Sequence, residues 1–188
     1  MNGESGALLR HQRAHVKTVP LPSLRLRATF AAVGEWPMRI YLVVIDESEE
    51  AGVALRFAAR RAVKTGGGVE ILALIPPAEF VQWGGVQATI EEEARQKAEG
   101  LVKAAAGTLV AESGLRPSIT VRQGEAGKVI RELIADNPDI AALVLASSAS
   151  GAPGPLISHF VGSDAGALTV PLMIVPGSLD NAAIDRLS

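Results

Sequence analysis

The chain has 188 residues, of which 48% are hydrophobic and 20% charged, and its formal net charge at pH 7 is −2. This balance predicts a globular domain with a sizeable core, and the mild negative charge argues against a broad nucleic-acid-binding surface. Cysteine is absent and aromatic residues make up only 4%, which excludes disulfides and disfavours a base-stacking surface. The apolar runs are all shorter than the roughly 20 residues of a membrane span. We therefore expect a cytoplasmic protein that binds neither nucleic acid nor membrane.

The first 37 residues differ in character from the rest of the chain. They carry five basic and two acidic residues, a net charge of +3, whereas residues 38–188 carry a net charge of −5. No hydrophobic periodicity is sustained in this segment, and three prolines interrupt it. The composition predicts a basic, disordered N-terminal arm (residues 1–37), one folded domain (38–177) and a short C-terminal tail (178–188).

Apolar runs and amphipathic stretches alternate along the rest of the chain. Segments 39–45 and 140–146 are apolar at nearly every position, which is typical of strands covered on both faces of a parallel sheet. Segment 48–65 begins with Ser48 as a candidate N-cap and carries an alanine-rich apolar stripe, as expected of an amphipathic helix. The predicted strands are residues 39–45, 69–75, 118–122, 140–146 and 172–175; the predicted helices are residues 48–65, 89–113, 126–136 and 156–167, with one helical turn in residues 177–188.

Four strand–helix repeats followed by a last strand predict an α/β fold. We expect an open, mostly parallel, five-stranded doubly wound sheet with helices on both faces. In such sheets, ligands bind outside the carboxyl ends of the strands, where the strand order reverses. Asp46 follows segment 39–45, and a loop of small residues follows segment 140–146. If these two strands are neighbours at the reversal, both sets of residues face one crevice.

The small-residue loop carries the candidate ligand-binding positions. Small side chains allow close approach to the backbone, serine hydroxyls donate and accept hydrogen bonds, and the following helix start could face an anion. The loop is not a Walker A motif, and no Lys or Arg occurs between Arg131 and Arg186. A bound phosphate would therefore rely on backbone N–H groups, hydroxyls and a metal ion; the alternative is a solvated tight turn without a ligand. The candidate positions are Ala146, Ser147, Ser148, Gly151 and Gly154.

Asp46 has two interpretations at this stage. A carboxylate after a strand often caps the next helix, and Asp46 with Glu49 resembles a capping box. The same carboxylate at the carboxyl end of a strand could instead contact a ligand. No set of residues has the spacing of a nucleophile, base and orienting acid, so the sequence favours a protein that is not an enzyme.

Over residues 38–177 the sequence resembles the universal stress protein family. YLVVIDESEEAGVALRFAARRA (41–62) is similar to the opening strand, acidic residue and helix of that family, and LVLASSASGAPGPLISHFVGSDAGALTVPLMIVPG (143–177) to its last third. The Gly/Pro-rich loop looks like that of a bacterial subgroup. ATP-binding members carry Gly-x2-Gly-x9-Gly-Ser/Thr after strand four, and Gly162 with Ser163 match its end. Ala146 and Ala149 stand at the first two glycines, and twelve residues separate Ala149 from Gly162.

The resemblance implies a site and a partner. Asp46 would contact adenosine, the strand-two backbone near Leu74 would touch adenine, and Gly162 with Ser163 would reach the phosphates of ATP, bound with Mg²⁺ and hydrolysed slowly at most. Family dimers pair their last strand, so a homodimer is expected through residues 172–175, from Leu172 to Val175. The leading hypothesis is a stress-linked protein that binds an adenine nucleotide or a related ligand. The alternative is a dimeric interaction module of the same fold that binds no nucleotide.

Overall fold

A computed structural model describes residues 38–77, 84–162 and 164–188, and of residues 84–87 only the backbone. The predicted arm (1–37) and Ser163 lie outside the described residues. The described strands are β1 (Ile40–Ile45), β2 (Gly68–Ile75), β3 (Ser118–Gln123), β4 (Ile140–Ser147) and β5 (Leu172–Pro176), and the described helices are α1 (Glu49–Thr65), α2 (Gly84–Ser113), α3 (Ala126–Asp136), α4 (Pro155–Val161) and α5 (Asn181–Leu187).

The described strands form one parallel sheet in the order β3-β2-β1-β4-β5. The chain moves from β1 toward one edge through β2 and β3, and then returns to β4 and moves toward the other edge. The strand order therefore reverses between β1 and β4, as in other doubly wound sheets. This architecture confirms the predicted fold class.

Alternate side chains of β1 enter two separate cores. Tyr41, Val43 and Ile45 belong to the core beneath α1 and α2, and Leu42 and Val44 belong to the core beneath α3 and α4. All five residues are buried. Period-two alternation with both faces covered explains why the strand sequence is continuously apolar.

Helix α1 has a defined signal at each end. The Ser48 hydroxyl accepts a hydrogen bond from the Ala51 N–H at 3.2 Å, which makes Ser48 the N-cap. Gly66 ends the helix in the left-handed conformation, with φ of 66°, and donates to the Ala62 carbonyl. Small side chains on the inner face bring the helix close to the sheet; the buried residues are Ala51, Ala54, Leu55, Ala58, Ala59 and Ala62.

A buried carboxylate, Glu70 on β2, joins three segments near the amino ends of the strands. Glu70 is 5% exposed. Its two oxygens accept hydrogen bonds from the Thr120 hydroxyl on β3 at 2.9 Å and from the Asn137 side-chain amide at 3.0 Å. Asn137 lies between α3 and β4. Because both oxygens are paired, burial of this polar group is compensated.

Several boundaries differ from those predicted. Helix α2 begins at Gly84 rather than at residue 89, and α4 ends at Val161 rather than at residue 167. Helix α4 ends early because its C-cap, Gly162, has φ of −97° and ψ of −116°, outside the helical region. A Cβ at Gly162 would overlap the Ser158 carbonyl oxygen, so this exit from the helix requires glycine.

The turn after α4 is held by an ion cluster that the sequence did not predict. The Asp164 carboxylate pairs with Arg131 of α3 and lies 3.1 Å from Nε2 of His159. The His159 ring occupies the space above Gly127, where a Cβ would overlap the imidazole. These contacts occur where the sequence predicted that α4 would continue, and they depend on α3 lying beside α4.

The segment after β5 forms a two-turn helix rather than one turn. Asp180 caps α5 by accepting from the Ala183 N–H at 2.7 Å. Ile184 is buried, and Asp185 pairs with Arg56 and Arg60 of α1, each at 2.9 Å. The tail is therefore attached to α1 by both apolar and charged contacts. Among the described helices, none is long and apolar enough to cross a membrane.

Candidate functional site

A crevice opens at the carboxyl ends of β1 and β4, which are hydrogen-bonded neighbours as predicted. Its volume is about 190 Å³. It lies at the strand-order reversal and is walled by the ends of the two strands, the first turns of α1, the loop after β4 and the start of α4. The lining residues are Val44, Asp46, Ser48, Glu50, Ala51, Ala54, Leu145, Ala146, Ser148, Pro153, Gly154, Pro155, Leu156 and Ile157.

Asp46 lines the crevice and is exposed. Its Oδ1 accepts hydrogen bonds from the backbone N–H of Ser48 at 2.9 Å and from the Ser48 hydroxyl at 2.5 Å. No hydrogen bond from another described residue reaches its second oxygen, Oδ2. One carboxylate oxygen therefore orders the loop before α1, while the other is left to accept a hydrogen bond from a ligand or from water.

The predicted capping box of Asp46 with Glu49 is wrong. The N-cap is Ser48, two residues further along, because only Ser48 places its oxygen within reach of the free N–H groups of the first turn. Asp46 supports the cap indirectly by fixing the Ser48 hydroxyl. Asp46 therefore orders the loop before α1 without capping the helix, and its Oδ2 is left for the crevice.

Many hydrogen-bonding groups of the loop after β4 are bonded to other groups of the protein. The Ser147 carbonyl accepts from the Gly177 N–H at 2.9 Å, which joins the loop to the end of β5. The Ser148 hydroxyl donates to the Ser150 carbonyl at 2.9 Å. The same hydroxyl accepts a long bond of 3.5 Å from the Ser150 N–H. The serine groups that were predicted to serve a ligand therefore also stabilise the turn itself.

Glu50 is a crevice residue that the sequence did not single out as part of the site. Its Oε1 accepts from the Ala149 N–H at 3.4 Å, so the first turn of α1 reaches across to the loop after β4. Its side chain is half-buried. The available signal was its position one turn after Asp46, at the start of the helix that follows the first strand of the reversal.

The charge of the crevice is entirely negative among its described lining residues. Asp46 and Glu50 are its only ionisable side chains, and no Lys, Arg or His lines it. Lys97 of α2, which pairs with Glu47 at 2.7 Å, is not among the lining residues. A phosphate entering the crevice would therefore meet two carboxylates and no described basic side chain.

The structure brings together four of the predicted positions and leaves the others apart. Asp46, Ala146, Ser148 and Gly154 all line the crevice. Four other described positions do not line it: Leu74 packs half-buried against the α3–α4 core, Ser147 contributes its carbonyl to Gly177, Gly151 is exposed with φ of 86°, and Gly162 lies at the far end of α4. The ninth position, Ser163, lies outside the described residues.

A second groove of about 310 Å³ adjoins the crevice along α1 and α2. Both cavities are lined by Asp46, Ser48 and Ala51. Ligand pockets commonly measure about 300–1,000 Å³, so the crevice alone is small for a whole nucleotide. Among the described residues, no group of three or more His, Cys, Asp or Glu is arranged to hold a metal ion.

The parallel sheet and the crevice at its strand-order reversal define a doubly wound α/β protein. The model of the universal stress protein family matches residues 38–176. The chain therefore belongs to the universal stress protein family, as the sequence resemblance predicted. A search among curated proteins finds no significant match.

Solved structures of this family share the fold at low sequence identity. The universal stress protein UspA from Lactobacillus plantarum is 15% identical, with a TM-score of 0.64 over 74% of this chain and 99% of that chain. A universal stress protein from Archaeoglobus fulgidus in complex with dAMP is 19% identical, with a TM-score of 0.53 over 73% and 97%. A universal stress protein in complex with cAMP is 14% identical, with a TM-score of 0.52 over 76% and 100%.

Proposed function

We propose that this chain is a cytoplasmic universal stress protein that binds an adenine nucleotide or a related ligand at the carboxyl ends of β1 and β4. Its role would be regulatory, through the ligand-bound state, with slow ATP hydrolysis at most. Family members bound to dAMP and cAMP support the ligand class. ATP with Mg²⁺ belongs to this proposal through the resemblance of Gly162 and Ser163 to the end of the family motif.

The observation that carries the proposal is Asp46, an exposed acid in the crevice at the strand-order reversal. Its Oδ2 is free among the described residues and could accept a hydrogen bond from a ribose hydroxyl or an adenine amino group. The apolar walls from Val44, Leu145 and Ile157 suit a ring or a sugar face. Contact of the backbone near Leu74 with adenine remains a prediction from the family resemblance.

The direct test is to identify what the protein carries and then to remove Asp46. Mass spectrometry of small molecules released from natively purified protein should detect an adenine compound. In calorimetry, Asp46→Ala should weaken binding of that compound by about 1–3 kcal/mol, the scale of a hydrogen bond to a charged group. Wild type that releases no adenine compound, or an affinity for the released compound that is unchanged in Asp46→Ala, would contradict this site.

A second candidate function is a dimeric interaction module that binds no nucleotide. Two observations favour it: the crevice measures only about 190 Å³, and β5 lies at an edge of the sheet with Ile174 43% exposed. An apolar edge strand is usually covered or paired. We propose that the strand from Leu172 to Val175 pairs with the same strand of a second copy, which would satisfy its free backbone groups.

The dimer is tested separately from the ligand. Light scattering should give twice the monomer mass for wild type at micromolar concentration. Met173→Lys with Ile174→Lys should give a monomer, because charged side chains on an edge strand oppose pairing. A monomeric wild type, or a dimer unchanged by both substitutions, would contradict this interface.

A further inference from the structure

The first turn of α1 places a carboxylate where a bound anion would approach the loop after β4. Glu50 Oε1 accepts from the Ala149 N–H at 3.4 Å. The bond is long, so it contributes little by itself. The negative charge acts on any nearby anion whether or not that bond is formed.

The surroundings of Glu50 fit this position. The Glu50 Cγ lies against Gly177, where a Cβ would come within 2.8 Å of it. The Gly177 N–H is bonded to the Ser147 carbonyl at 2.9 Å. The absence of a side chain at residue 177 thus leaves room both for the Ser147 carbonyl oxygen, which a Cβ would overlap, and for the Glu50 stem.

Only half of the loop residues have a backbone N–H group that is free for a phosphate. Among the eight residues 148–155, four have no free N–H group. The N–H groups of Ala149 and Ser150 are bonded to Glu50 and to Ser148, and Pro153 and Pro155 have none. A phosphate site normally gathers several backbone N–H groups or a basic side chain.

Charge argues in the same direction. Glu50 and Asp46 both line the crevice, and no basic side chain does so among the described residues. The volume of about 190 Å³ also fits a smaller ligand than a nucleoside triphosphate. A neutral molecule can use the apolar walls and the acceptor Oδ2 of Asp46 without bringing charge near Glu50.

We infer that Glu50 is a specificity-determining residue that excludes phosphate from the crevice, so that the site takes an uncharged adenine nucleoside in preference to its mono- and triphosphates. This inference rests on the proposed adenine-binding function and narrows its ligand class: the uncharged nucleoside takes the place of the ATP with Mg²⁺ that the family resemblance implies. Glu50 selects by repelling the anion, and its long bond from the Ala149 N–H adds little to this effect.

The test compares adenosine, AMP and ATP by titration calorimetry in the presence of EDTA. Wild type should bind adenosine at least about tenfold more tightly than ATP, which is about 1.4 kcal/mol. Glu50→Gln should raise the affinity for AMP and ATP about tenfold and leave the affinity for adenosine within about twofold. The gain should shrink as salt is raised, because exposed charges are screened.

Glu49→Gln is the matched control, because it removes the same charge from the same helical turn. Glu49 is exposed and does not line the crevice, so its loss should leave all three affinities within about twofold. The role of Glu50 would be overturned if wild type bound ATP more tightly than adenosine, or if Glu50→Gln and Glu49→Gln gained affinity for AMP and ATP equally. Either result would leave the proposed adenine-binding function standing. Absence of binding of all three compounds to wild type and Glu50→Gln would overturn the proposed function as well.

Discussion

The two halves of α1 use their charged residues in opposite ways. In the later turns, Arg56 pairs with Glu112 of α2 at 2.6 Å and with Asp185 of α5 at 2.9 Å. Lys64 donates to the backbone carbonyl of Ser188 at 2.6 Å. In the first turn, Glu49 is exposed and Glu50 makes only the long contact with Ala149.

The contrast shows that the two halves of α1 have different roles. The later turns attach other elements of the fold, and the first turn lines a cavity. Charges in the later turns are paired across α2 and α5, so they help to assemble the fold. Charges in the first turn favour the helix through its macrodipole but have no basic partner among the described residues. A ligand that approaches the first turn therefore encounters carboxylates that are not neutralised by a described basic side chain.

The largest loss of stability is expected from a substitution on the buried face of α1, because both halves of the helix pack through that face. Ala58, in the middle of α1, is 0% exposed. Ala58→Asp should unfold the domain, because a buried unpaired carboxylate costs several kcal/mol against a total stability of about 5–15 kcal/mol. Circular dichroism and urea titration should show no cooperative transition. A soluble variant that unfolds cooperatively would mean that α1 does not pack as described.

Loss of the cap should weaken the first half of the helix without changing its later contacts. Ser48→Ala removes the bond from Ala51 and should destabilise the protein by about 1 kcal/mol in urea unfolding. Asp46→Ala should cost less, because it removes the bonds from the Ser48 N–H and hydroxyl but leaves the Ser48 cap itself in place.

The cost of the Asp46 and Ser48 double substitution should be smaller than the sum of the two single costs, since both residues serve one cap. Additive costs would show that Asp46 stabilises the fold independently of the Ser48 hydroxyl, through the Ser48 N–H or through other contacts.

Removal of the Arg56 charge should loosen the attachment of α5 and α2. Arg56→Met keeps the apolar stem and loses both ion pairs, so the melting temperature should fall by about 1–3 °C. Lys103→Met is the control, because Lys103 pairs only with Glu99 on its own exposed helix surface. Equal shifts in the two variants would remove the distinction between the tertiary pairs and an ordinary surface pair.

A smaller effect depends on pH. The hydrogen bond from Arg56 lowers the pKa of Asp185 below its ordinary value of 3.8, so the folded state favours the carboxylate. Its contribution to stability is present above pH 3.8 and is lost as the pH falls through the lowered pKa. The melting temperature of Asp185→Asn should therefore lie below that of wild type at neutral pH and approach it in acid. A difference that stays constant from pH 7 to pH 2 would contradict this linkage.

The order of the elements could be predicted from sequence because it depends on local patterns. The continuous apolar run of β1 and the alanine stripe of α1 each indicate their burial directly. The contacts that hold the turn after α4 could not be predicted, because Arg131, His159 and Asp164 meet only where α3 and α4 lie side by side. The length of α5 likewise depends on Asp185 reaching Arg56, 129 residues away in sequence.

The part of the candidate site that follows from the strand order could be predicted from sequence. Asp46, Ala146, Ser148 and Gly154 follow adjacent strands, so their meeting in one crevice follows from the topology. The function of Glu50 could not be predicted from sequence alone, because an acid in a first helical turn is common for reasons of helix stability. Only the positions of Ala149 and Gly177 beside it show that it faces the loop.

The Glu70 network and the crevice lie at opposite ends of the strands, so each can be altered by mutation separately from the other. Its bonds to Thr120 and Asn137 join β2, β3 and the segment between α3 and β4 at the amino ends of the strands, away from the crevice. We expect substitutions in residues 148–154 to leave this network in place, because that loop follows the carboxyl end of β4.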